Sequence, residues 1–133
     1  MSRELIGQLL LVGAGGFVGA ILRFVVIGWV QRSDPVATFP LGTLAVNVIG
    51  SFLVGVLTGL VHARGLLGPE ARLVVLVGLL GAFTTFSTFS YETLALLRAG
   101  ALVKAFANAA GSVVTCLLAV WVGYALGAAR SSA

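Results

Sequence analysis

Charge is the scarcest commodity in this chain. Only 9% of its 133 residues are Asp, Glu, Lys or Arg, against about 25% in an ordinary soluble domain. So few charged groups cannot keep the surface of a small globule hydrated, which excludes a soluble enzyme, a disordered segment and a collagen-like fibre. Cysteine is almost missing: Cys116 stands alone, so no disulfide closes within the chain and no thiolate cluster can hold a metal. Acid is rarer than base, four residues against eight, for a net charge of +4. Those basic residues are scattered singly and form no stripe of the kind that grips nucleic acid. The three prolines, Pro35, Pro40 and Pro69, all fall between long apolar runs.

Apolar residues fill the space that charge leaves. They make up 59% of the sequence, with a mean hydropathy of +1.14. About 20 apolar residues in helical form cross a bilayer, and four such runs occupy about residues 5–30, 41–61, 73–97 and 105–128. The expectation is one all-α transmembrane domain covering residues 1–133. The first run is too long for the apolar core of a signal peptide and contains Arg23, so it reads as a retained helix. Short breaks join antiparallel neighbours, here Arg32 to Pro40, His62 to Arg72 and Arg98 to Lys104. An up-down-up-down bundle with both termini on one face follows. Glycine is doubled over its usual share, 18 residues, with Gly15/Gly19, Gly55/Gly59 and Gly123/Gly127 each four apart. Helices in lipid pack through close approach over small residues, and that is the default reading of all of them.

Orientation in a membrane follows the Lys and Arg content of the short loops. The face with the termini carries Arg3, Arg64, Arg72 and Arg130, and the opposite face Arg32, Arg98 and Lys104 with Arg23 near it. Such a balance is either a coincidence or the mark of a chain that inserts both ways. Oppositely inserted copies can pair about an axis in the membrane plane, reproducing the inverted repeats of larger transporters.

Polar groups inside the spans are costly and face a bundle interior or a water-filled cavity. Arg23, Asn47 and Glu92 all fall toward the loop face opposite the termini. Arg23 and Glu92 can snorkel or neutralise one another; Asn47 needs partners, an interhelical hydrogen bond or a ligand. Thr43, Asn47 and Ser51 share one helical face, as do Asn108, Ser112 and Cys116. Five hydroxyls and two phenylalanines are packed into Thr84-Thr85-Phe86-Ser87-Thr88-Phe89-Ser90, in the middle of the third span. Hydroxyls compete with helical hydrogen bonding, so an interrupted third helix is expected, tolerable at depth where the freed backbone is buried or binds something. Carbonyls suit a hard cation; amides, hydroxyls and the positive edges of Phe86 and Phe89 suit an anion. A Ser/Thr packing seam with aromatic filler is the plainer alternative.

Three segments together resemble a known family, the small bacterial fluoride channels (Fluc, or CrcB). They are Gly15-Gly16-Phe17-Val18-Gly19-Ala20-Ile21-Leu22-Arg23, the stretch from Pro40 through Asn47 to Gly50, and Thr84 to Ser90 closed by Glu92. The resemblance implies a fluoride-selective channel of the cell (inner) membrane, an antiparallel dual-topology homodimer with two pores. It implies Asn47, Phe86 and Phe89 at the ion, Thr85, Thr88 and Ser112 along a polar track, and Arg23 in the vestibule. It further implies a structural sodium ion at the dimer axis, held by the backbone carbonyls of Gly81 and Thr84. Asn108 departs from the family pattern, where an aromatic hydroxyl is common, and Cys116 stands where a further hydroxyl is common. The competing readings are a proton-coupled small multidrug-type exporter, which needs an embedded carboxylate that the first two spans lack, and a non-transporting scaffold subunit. Neither an enzyme nor a nucleic-acid partner fits.

Overall fold

A computed structural model of the chain describes residues 2–33 and 39–129. Asp34 and Pro35 of the first break, and Arg130 of the charge balance, lie outside the described residues. Helix α1 runs Arg3–Ser33 and α2 runs Leu41–Arg64. The third crossing is compound: α3 (Pro69–Arg72) continues into a π-helical stretch, Leu73–Leu80, and then α4 (Gly81–Phe83). After two further residues the chain resumes as α5 (Phe86–Arg98), and α6 (Leu102–Ala129) completes the fold. Four stretches, Arg3–Arg32, Leu41–Arg64, Pro69–Arg98 and Leu102–Ala129, are long and apolar enough to cross a membrane. Among the described residues there is no strand.

The turns are written in the sequence. Gly65 takes the left-handed conformation (φ 60°) and donates its N–H to Val61 O at 2.9 Å, closing α2 as glycine allows. Pro69 opens α3 at its first turn, where its missing N–H costs nothing. At the far end of α5, Gly100 (φ 73°) turns the chain: Gly100 N–H donates to Leu97 O and Ala101 N–H to Leu96 O, a Schellman closure.

Helices adjacent in sequence are not the closest in space. The main packing pairs are α1 with the π-helical stretch and α2 with α6. Both pairs run parallel: moving up α1 from Gly15 to Gly19 moves the contact from Val74 to Leu79, and moving along α2 from Gly55 to Gly59 moves it from Val120 to Tyr124. The reason is volume. A Cβ on Gly15 would collide with Val74 O, one on Gly55 with Val120 O, and one on Gly123 with Phe52 O. In each case the obstacle is backbone, which cannot swing aside, so only glycine lets these helices touch. With little hydrophobic drive between helices in lipid, this contact is what holds the pairs. His62 on α2 and Tyr124 on α6 add an edge-to-face ring contact at 6.2 Å.

Burial is inverted relative to a water-soluble protein. Among the described residues the buried side chains comprise four apolar ones, Val46, Leu80, Phe83 and Ala105, and four polar ones, Thr43, Thr85, Asn108 and Ser112. Meanwhile Phe17, Phe24, Val103 and Phe106 are each 70% exposed or more. An apolar exterior around a half-polar interior is what a lipid solvent selects.

Candidate functional site

The site is built where the third crossing stops being a helix. Thr84 (φ −84°, ψ 159°) and Thr85 (φ −151°, ψ 117°) are both extended. Thr84 turns its N–H and its hydroxyl back to Leu80 O, each at 3.1 Å. In a continuous helix Thr85 N–H would bond Gly81 O. Instead it donates to Asn47 Oδ1 at 2.8 Å, while Asn47 Nδ2 donates to Thr85 O at 3.0 Å. A single amide on α2 therefore satisfies both backbone groups of Thr85, as a neighbouring strand would. That meets the demand of any non-helical backbone at membrane depth.

The helix restarts through Thr85 itself. Its Oγ1 accepts Thr88 N–H at 3.3 Å, an N-cap, and donates to Thr88 Oγ1 at 3.0 Å. Ser90 and Thr93 donate to their own helix at Phe86 O and Phe89 O. Several hydroxyls of the motif are thus spent on local backbone. Phe86 and Phe89 form a tilted pair with ring centroids 5.3 Å apart.

A cavity of about 390 Å³ opens beside the interruption. Asn47, Ser51, Thr84, Thr85, Ser112 and Cys116 supply its polar wall. Phe86, Phe89 and aliphatic residues of α2 and α6 supply the rest. Five of the residues expected at an anion, Asn47, Thr85, Phe86, Phe89 and Ser112, therefore meet around one space. Thr88 is half-buried against Thr85 and is not part of that wall. Arg23 lines a different cavity on α1, with Ala20, Phe24, Ile27, Gly28 and Gln31. Gly81 is exposed on the outside of the protomer, and Thr84 is partly buried. Glu92 meets Thr43 rather than Arg23: Thr43 Oγ1 donates to Glu92 Oε1 at 2.8 Å. Its other oxygen is buried, with no hydrogen-bond partner among the described residues.

Sequence reasoning passed over Thr93. It accepts from Asn108 Nδ2 at 2.8 Å, joining α5 to α6. Its signal is a β-branched hydroxyl one helical turn beyond Phe89, which reads as ordinary helix without the fold. Among the described residues no cluster of three or more His, Cys, Asp or Glu is placed to hold a metal.

A family model described as CrcB-like protein, Camphor Resistance (CrcB), matches residues 10–124. The chain belongs to this family. Every candidate site residue, from Arg23 to Ser112, lies inside the CrcB match. The chain is 52% identical over 120 residues to the fluoride-specific ion channel FluC of Thermus thermophilus, covering 90% of this chain and 93% of that one. It is 48% identical over 118 residues to the FluC of Sulfurovum sp., covering 89% and 91%. It is also 47% identical over 115 residues to the fluoride-specific ion channel FluC 1 of Methanosarcina acetivorans, covering 86% of each. With its four apolar crossings, this CrcB-family chain is a multi-pass membrane protein.

Proposed function

We propose that the chain is a fluoride-selective channel, through which fluoride leaves the cytoplasm down its gradient and so loses its toxicity. What carries this reading is the cavity at the interrupted third crossing: hydroxyls, one amide and two phenyl rings around a common space, in a chain akin to proteins named for fluoride conduction. Neutral HF enters from acid surroundings and dissociates inside, trapping the anion, so a passive exit suffices.

A selective path must replace the hydration of the ion without holding it. Asn47 spends one amide N–H and its oxygen on Thr85, which leaves its second N–H for an anion. Ser112 donates to Asn108 Oδ1 at 3.5 Å, a bond weak enough for its proton to be turned to a passing ion. The edges of Phe86 and Phe89 add a weak positive wall. Thr85 and Thr88 extend the polar track, and Arg23 gathers anions at the vestibule. No embedded carboxylate lies in the first two crossings, and the relatives are channels, so the proton-coupled exporter has no support.

The working unit in this reading is an antiparallel homodimer of dual topology. The near-balanced Lys and Arg count supports it, as does the exposure of Phe86 at 77% in the single protomer, since a pore aromatic needs cover. A structural sodium ion fits the same picture. Gly81 O has lost its helical donor, because Thr85 N–H goes to Asn47, and Gly81 is exposed. With Thr84 O it offers two hard oxygens, which a two-fold axis doubles, the donor type that small hard cations take. The bound ion would supply cross-linking of the two copies and no chemistry.

The test is fluoride efflux from liposomes holding the purified chain, read by a fluoride electrode. Rapid efflux with chloride retained is expected. Liposomes that keep their fluoride would refute the channel.

A further inference from the structure

The cavity wall has a support behind it. Asn108 is 2% exposed and does not reach the cavity, yet it sits one turn of α6 before Ser112, which does. Ser112 Oγ donates weakly to Asn108 Oδ1 at 3.5 Å, one helical turn away on the same rigid helix. Asn108 Nδ2 donates to Thr93 Oγ1 at 2.8 Å, and Thr93 Oγ1 donates to Phe89 O at 2.8 Å. One hydrogen-bonded line therefore runs from a cavity hydroxyl on α6 to the backbone of a cavity phenylalanine on α5, with every proton pointing the same way. No residue of α5 is buried outright, so apolar packing fixes its register on α6 only loosely, and a hydrogen bond between the two helices adds a directional constraint.

We propose that Asn108 is a positioning residue of the pore: through Thr93 it sets the separation between the ring of Phe89 and the hydroxyl of Ser112, and with it the preference for a small anion. It is not an ion ligand, since it is withdrawn from the cavity. The inference rests on the fluoride-channel reading.

Thr93 provides the cleaner perturbation, because Thr93→Val keeps volume and removes the acceptor of Asn108, while Thr93→Ser keeps the acceptor and loses a methyl. In liposomes carrying the full chain, fluoride and chloride efflux are measured for both variants and for Asn108→Leu. Thr93→Val and Asn108→Leu are expected to lower the fluoride-to-chloride flux ratio about tenfold, the weight of one buried hydrogen bond. Combining the two substitutions adds little beyond either, and Thr93→Ser matches the wild type. An unchanged ratio in an assembled Thr93→Val overturns the proposal, as does a Thr93→Ser that is equally damaged. A loss of assembly confined to Asn108→Leu, with Thr93→Val conducting normally, overturns it too. Failure of wild-type efflux would instead sink the channel reading. Positioning is then still read from the fluorine-19 resonance of Phe89→4-fluorophenylalanine, which must move with Thr93→Val and stay with Thr93→Ser; a resonance indifferent to both overturns the proposal.

Discussion

Replacing Asn47 by leucine removes the one side chain that satisfies the extended backbone at Thr85. Leucine keeps the branched shape with two bulkier methyls, but Thr85 N–H and Thr85 O lose their partners at 2.8 and 3.0 Å. Thr85 is 7% exposed, which leaves water little access to take over. Each orphaned buried group costs about 1–3 kcal/mol, so the interrupted conformation is weakened by about 2–6 kcal/mol. The chain has an escape: rewinding residues 84–85 into helix would return Thr85 N–H to Gly81 O. Rewinding turns Phe86 and Phe89 away from their present wall, so the conducting state is depleted by either route. At 1.4 kcal/mol per factor of ten, the lower bound already predicts fluoride efflux reduced about 30-fold. The measurement is initial efflux rate per assembled protein in liposomes, with assembly checked by size-exclusion chromatography. Asn47→Asp serves as a control on direction: it keeps the acceptor for Thr85 N–H but sets a carboxylate oxygen against Thr85 O, so it too conducts poorly. If Asn47→Leu passed fluoride at the wild-type rate, the amide would not be holding the interruption, and the site as described would be wrong.

Other expectations follow from the same geometry. Phe86→Ile removes a ring edge from the cavity wall while the glycine seams stay whole, so efflux falls at least about tenfold with assembly intact; a fully active variant would detach the rings from conduction. Gly55→Ala drives a Cβ into Val120 O and to within 2.8 Å of Tyr124 N. The overpacking costs about 1–3 kcal/mol or more, which should appear as a lowered thermal transition in detergent; an unshifted transition would contradict the parallel α2–α6 contact. Cys116 shares the cavity with Asn47 and the two rings, so a small methanethiosulfonate reagent should slow efflux in the native chain and not in Cys116→Ser. Equal rates with and without reagent would place the pathway elsewhere.

Hydropathy and length are local properties of a chain, and so was everything they decided here. Four crossings, their approximate limits, the prolines between them and the close-packing seams were legible because each depends on residues within one or two helical turns, whereas the turn roles of Gly65 and Gly100 came from the fold. The anomaly at 84–90 was legible for the same reason, since hydroxyls and rings stand out against leucine and valine. The family resemblance added a role for each residue but not its partner. The π-helical form of Leu73–Leu80 was invisible, because a Leu and Val run reads alike in either helix. Partners could be found only in three dimensions. Asn47 and Thr85 are 38 residues apart, and Thr43 and Glu92 are 49 apart. The Arg23–Glu92 pair gave way to the Thr43–Glu92 bond, with Arg23 lining a separate cavity on α1. Sequence places a polar group at a depth on a helix; which polar group answers it depends on how the helices rotate and which of them touch, and glycine seams on several faces leave that choice to the assembled bundle.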